Sequence, residues 1–229
     1  MSGRSDEVTR FDRTERLVHW STAILLIALI ATGTILYIPA LMLRVGHRAT
    51  IVNIHVISGL LLLVPLIAGL AGPWRAALVA DLRRIDRWSK SDFAFFRTLR
   101  STGKFNAGQK LAASFFLGGM VAMVATGIIM RWSPPFPNSW ARGATLVHDT
   151  VYLLLFVLVV GHVLMALAKP AHLRSMFSGR MSRLYAERYE PDWLSGKDLI
   201  EPVGRATPPP RPSARRAEAA GAGRSQASD

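Results

Sequence analysis

Residues Val147 to Leu167 read VHDTVYLLLFVLVVGHVLMAL, an apolar run of bilayer length that nevertheless carries two histidines, His148 and His162. An ionisable side chain at membrane depth is costly and characteristically faces a cavity or a partner, so it marks a functional site. At about 1.5 Å and 100° per helical residue, the fourteen-residue spacing advances about 21 Å and returns to within about 40° of the same direction. Both imidazoles therefore look out from one helix face at two depths.

Three other runs are as long. About 20 helical residues cross the hydrocarbon core, and the sequence predicts spans at about 17–43, 49–71, 111–130 and 145–168. These runs are continuous rather than alternating, which argues for helices and against a barrel. With 50% hydrophobic residues and a mean hydropathy of +0.26, the chain reads as an all-α membrane protein. The expected architecture is an up-down-up-down transmembrane four-helix bundle. Its parts are an N-terminal segment (1–16), a four-span domain (17–170) with a long loop at 72–110, a C-terminal segment (171–200) and a tail (201–229). The tail is rich in Pro, Ala, Arg, Gly and Ser, and its composition predicts disorder. FAFFRTLR, within the long loop, suggests a helix along the membrane surface. No convincing internal repeat is visible.

Lys and Arg set the orientation. Four lie before the first span, nine in 72–110 and eleven from Lys169 onward, against two in each of the other loops. The positive-inside rule places both termini and the long loop in the cytoplasm. This asymmetry accounts for much of the +13 net charge, so no nucleic-acid partner is required. The first run is too long for the apolar core of a signal peptide, and none is expected. Cysteine is absent, which excludes disulfides, Cys-ligated iron–sulfur clusters and C-x-x-C-H haem attachment in this chain.

Four of the six histidines fall inside the spans, and their depths pair. His19 and His162 form an inner pair; His55 and His148 form an outer pair. Two facing imidazoles at one level supply both axial ligands of a b-type haem, a closed coordination suited to electron transfer. Zinc, which prefers about four ligands in one place, fits less well. Fourteen residues after His19 and His55 stand Gly33 and Gly69. Either would leave room for a porphyrin held by a neighbouring helix, or would simply permit close helix approach. A single transmembrane histidine can also serve only to bond a neighbouring helix. His47 and His172 read as surface residues. Arg44, Arg48, Arg131 and Arg142 at the outer level, and Arg13 and Arg16 at the inner, are candidate partners for haem propionates, or ordinary interfacial anchors.

The chain resembles the cytochrome b (gamma) subunit of membrane-bound formate dehydrogenases, within the wider di-haem cytochrome b group that also serves nickel–iron hydrogenases. The resemblance covers roughly Arg10 to Trp193. It is carried by RFDRTERLVHWS (10–21), NIHVISG (53–59), FNAGQKL (105–111), ATGIIM (125–130) and the Val147 to Leu167 run. LYAERYEPDW, with Tyr185 and Tyr189, departs from the family pattern.

The resemblance implies two b-type haems, on His19/His162 at the cytoplasmic side and on His55/His148 at the periplasmic side of a bacterial inner membrane. It also implies a site for menaquinone or ubiquinone near His162 and Asn106, Ala107, Gly108 and Gln109. Read from the residues alone, Asn106 and Gln109 could equally cap the third span. The implied partners are an iron–sulfur (beta) subunit and, through it, a molybdenum or tungsten catalytic (alpha) subunit. No catalytic residue is expected here, because formate oxidation would sit on another chain. The alternatives are a hydrogenase cytochrome b, a free-standing di-haem oxidoreductase acting between quinone and a small partner such as superoxide, and a haem-free membrane anchor.

Overall fold

A computed structural model describes residues 6–199; the 201–229 tail lies outside the described residues. The described residues open with a short strand, β1 (Glu7–Thr9), and enter α1 (Arg13–Tyr37). Asp12 and Glu15 open α1 with a reciprocal capping box, each side chain accepting the other's backbone N–H, at 2.8 and 2.6 Å. The helix stops at Tyr37 because Pro39 disfavours helical backbone at Ile38, which is extended. A short helix, α2 (Pro39–Val45), fills the remainder of the predicted first span.

The second span is two helices, α3 (Arg48–Leu61) and α4 (Val64–Ala71). Pro65 explains the break: it has no N–H for the Leu61 carbonyl, and its ring crowds that turn. The long loop folds into α5 (Ala76–Asp86) and α6 (Lys90–Thr98); α6 contains the FAFFRT sequence and exposes Phe93 and Phe96. The third and fourth spans are α7 (Ala107–Arg131) and α8 (Asn138–Ala168), longer than the sequence predicted at their outer ends or their starts. Pro170 ends α8 and opens α9 (Pro170–Ser178). Then follow β2 (Arg180–Ser182), α10 (Arg183–Tyr189), α11 (Pro191–Leu194) and a 3₁₀ turn.

Around the bundle, α1 packs on α3 and α4, α3 on α7, and α7 on α8. In each apolar span window only 6–11% of residues are buried within the protein. Large side chains such as Leu43, Val157 and Leu17 point outward at 85%, 69% and 68% exposure. Apolar surface on this scale requires lipid rather than water, so the chain is an integral membrane protein.

β1 and β2 pair antiparallel, with Val8 opposite Met181, joining the segment before the first span to the segment after the fourth. Both lie at one end of the bundle, called here the terminal end. Gly179 makes this seam possible. Its φ is +80°, and a Cβ there would stand 2.6 Å from the Phe11 carbonyl oxygen; the Gly179 carbonyl accepts from both Arg10 N and Phe11 N.

The terminal end is capped by a buried ionic network. Arg10 pairs with Glu190 and donates to the Lys104 carbonyl at 2.6 Å. Lys104 Nζ reaches Asp81 at 2.5 Å and Glu15 at 3.3 Å, and Lys110 Nζ reaches Asp92 at 2.7 Å. Burial lowers the Arg10 guanidinium to about 10, so it stays charged at neutral pH. His172, expected at the surface, belongs to this cap: its Nε2 lies 2.9 Å from Glu190, and Tyr185 packs edge-on at 5.8 Å. Burial, with Arg10 and Lys169 nearby, pushes it down to about 4, so the ring is neutral at pH 7. LYAERYEPDW is thus a folded part of the cap, with Trp193 lying 5.3 Å from the Arg10 guanidinium carbon.

Gly69 lies on α4, across the break at Pro65 from His55 on α3. A Cβ at Gly69 would stand 2.6 Å from Val18 Cγ2 and 3.0 Å from Leu78 Cδ2. It is therefore a close-approach glycine between α4, α1 and α5, the second of its two sequence readings. Gly69→Ala is expected to lower the thermal unfolding temperature by overpacking, at a cost of about 1–3 kcal/mol, while leaving bound haem per chain unchanged. Differential scanning fluorimetry with parallel haem quantification measures both.

Candidate haem sites between the spans

The four span histidines meet as two pairs. The rings of His19 on α1 and His162 on α8 have centroids 6.2 Å apart, and those of His55 on α3 and His148 on α8 are 6.3 Å apart. Two metal–nitrogen bonds of about 2.0 Å, with about 1.1 Å from nitrogen to ring centre, put the centroids of a linear bis-imidazole unit about 6.2 Å apart. Both pairs match that spacing.

The outer pair borders a cavity of about 470 Å³, within the range of about 300–1,000 Å³ usual for small-molecule sites. Its walls are apolar, from Leu29, Ile30, Val56, Met123 and Val124 among others, and its polar groups include Arg48, Arg131 and Asp149. Of the four outer arginines considered from sequence, Arg48 and Arg131 line the cavity and Arg44 and Arg142 do not. Gly33 lines it too: a Cβ there would meet His55 Cε1 at 3.4 Å and Tyr152 at 3.6 Å. The structure adds Tyr152, one turn past His148, whose hydroxyl bonds Thr34 Oγ1 at 2.7 Å and ties α8 to α1.

Gly127 was missed from sequence. A Cβ there would meet His148 Cε1 at 3.5 Å, the same relation that Gly33 has to His55. Both glycines close an Ala-Thr-Gly tripeptide, at 31–33 and 125–127, a match too short to read as an internal repeat.

At the inner pair, Phe116 of α7 meets His162 edge-on at 5.8 Å. Among the described residues His19 Nδ1 is buried without a hydrogen-bond partner, while His162 is exposed on the bundle surface. Arg16, a candidate propionate partner, instead donates to the Asp12 and Phe177 carbonyls. Asn106 and Gln109 form a reciprocal capping box at the start of α7, at 2.9 and 3.0 Å, and Ala107 is fully buried beside them. The capping option is therefore realised through both side-chain oxygens. Gly108 is exposed on the first turn.

The donor set, the spacing of the pairs and the glycine-bordered apolar cavity fit a b-type haem. Four apolar spans that bring histidines together in facing pairs define a membrane cytochrome b. The chain belongs to the prokaryotic cytochrome b561 family, whose model matches residues 10–179; membership implies b-type haem.

Its relatives include the formate dehydrogenase cytochrome b556(fdo) subunit of Escherichia coli K12, 26% identical over 203 residues covering 83% of this chain and 93% of the relative. The nitrate-inducible formate dehydrogenase cytochrome b556(Fdn) subunit of the same organism is 30% identical over 95 residues, covering 40% and 43%. The formate dehydrogenase cytochrome b556 subunit of Haemophilus influenzae is 25% identical over 197 residues, covering 81% and 82%.

Proposed function

We propose that this chain is the membrane cytochrome b subunit of a formate dehydrogenase complex in a bacterial inner membrane. His55 and His148 hold one haem near the periplasmic side, and His19 and His162 hold a second near the cytoplasmic side. The two facing pairs at matched spacing carry this reading, and the likeness to formate dehydrogenase cytochrome b556 subunits over more than four-fifths of each chain supports the complex. When bound, the haems supply one-electron transfer between an outer iron–sulfur subunit and quinone on the inner side.

The chain's own residues fix the rest. The apolar spans carry all four rings at membrane depth, and α8 carries one histidine of each pair, which sets their separation at about 21 Å. Arg48 and Arg131 give the outer cavity positive charge, suited to carboxylates. The terminal end bears most of the Lys and Arg and therefore faces the cytoplasm. The quinone site lies near His162 and the first turn of α7, where the capping box leaves the carboxamide NH₂ groups of Asn106 and Gln109 as donors beside Gly108.

The test is purification from the native membrane in mild detergent, with oxidised and dithionite-reduced spectra, haem quantified per chain and copurifying chains identified by mass spectrometry. Two b haems together with iron–sulfur and molybdenum or tungsten subunits are expected. Two haems with no partner would transfer the assignment to a free-standing oxidoreductase, and a hydrogenase partner to that complex. A colourless protein would overturn the site.

A further inference from the structure

The two outer histidines are held in the same way by two different helices. Thr32 Oγ1 lies 2.9 Å from His55 Nδ1, and Thr126 Oγ1 lies 2.9 Å from His148 Nδ1. Each hydroxyl also reaches the carbonyl four residues back in its own helix, Ala28 for Thr32 and Ala122 for Thr126, at 2.7 Å in both cases. A threonine hydroxyl has one proton. Spent on the helix carbonyl, a bond common for mid-helix Thr, it leaves the oxygen as acceptor. Nδ1 must then be the protonated nitrogen of each imidazole, and the Nε2 lone pair is left to bind a metal. The glycine after each threonine lies against ring carbon Cε1, so each Thr-Gly pair sets both the tautomer and the tilt of the ring.

The inner pair has no such device: His19 Nδ1 is buried without a hydrogen-bond partner among the described residues. The two pairs differ in their support although their ring spacings agree.

We propose that Thr32 and Thr126 are positioning residues that orient His55 and His148 as Nε2 ligands and strengthen them as donors, distinguishing the outer haem from the inner one. This rests on the bis-histidine reading of the site. A ligating histidine ordinarily donates its other N–H to a fixed acceptor, which raises ligand basicity. Here the acceptor is a hydroxyl polarised by a helix carbonyl, a short relay of the kind that reinforces itself in a low-dielectric interior. A stronger donor favours ferric over ferrous iron, so the relay lowers the reduction potential of the outer centre alone.

The test uses the intact complex. Haem per chain is counted first in the unaltered protein; fewer than two would remove the reading beneath the proposal before any variant is made. Thr32→Val and Thr126→Val keep shape and lose the hydroxyl; Thr32→Ser and Thr126→Ser restore it. Midpoint potentials are read by spectroelectrochemistry and ligand-field geometry by low-temperature EPR of the oxidised haems. With Val, the component that His148→Ala removes is expected to shift to higher potential or be lost, the other to stay fixed, and Ser to restore the original value. Should Val block accumulation, Thr126→Ala gives the same comparison. Unchanged midpoints and spectra in the Val or Ala variants, with two haems bound, would overturn the proposal, as would Ser behaving like Val.

Discussion

His148→Ala should reduce bound haem from two per chain to one, and His162→Ala should do the same at the other level. Each of these residues is one half of a facing pair, and a centre held by two imidazoles loses its closed coordination when either is removed. The partner ring cannot compensate: His55 is fixed on α3 by Thr32, and where the His148 ring now faces it only a methyl would remain, set back on α8. The cavity of about 470 Å³ would remain as an apolar space without its second ligand. A double variant at both positions should bind none. His47→Ala, at the exposed left-handed residue that opens α3, should leave both haems in place. Pyridine haemochrome quantification against protein measures the stoichiometry. On the proposed electron path, which runs through both sites in series, formate-driven quinone reduction in the complex should fall to background in either single variant. Two haems retained by His148→Ala would refute the pairing.

The pairing was legible because helical geometry is rigid. Four turns separate His148 from His162 on an uninterrupted helix, so a rise and an angle were enough to predict two levels. The same rule is weaker from His55 to Gly69, since Pro65 breaks the span between them, and Gly69 serves the close approach of α4 to α1 and α5. Gly33, on an unbroken helix, does reach the outer site. The glycine opposite it, Gly127, follows no fourteen-residue spacing from a histidine on its own helix and could be found only by comparing two tripeptides across 94 residues. Asn106 and Gln109 carried two signals at once, a capping box and a polar pair near the membrane surface, and the structure resolves the first. The terminal cap was not legible. Its partners, Arg10 and Glu190, lie 180 residues apart in the chain, and sequence spacing says nothing about pairs brought together only by the closing of a bundle.

Glu190→Ala is expected to cost about 3–5 kcal/mol, the range for removing one partner of a buried ion pair. The Arg10 side chain is 1% exposed and that of Glu190 5%, so water cannot replace the lost carboxylate. Arg10 would retain its bond to the Lys104 carbonyl, and a guanidinium does not escape such a cost by deprotonating at neutral pH. His172 would lose its acceptor as well. Glu190 precedes α11, Arg10 precedes α1 and Lys104 precedes α7, so the change loosens the contact that fastens the first and third spans to the segment after the fourth. The expected result is reduced accumulation in the membrane and faster amide exchange in β1 and β2, measured by hydrogen–deuterium exchange. Both follow from an uncompensated buried charge, so removing that charge should relieve them. Arg10→Met combined with Glu190→Leu should therefore be milder than Glu190→Ala alone, since a buried pair exchanged for packed apolar groups is often neutral or stabilising. If the double variant were the more damaging, the pair itself would have to be a net source of stability, beyond the desolvation it offsets.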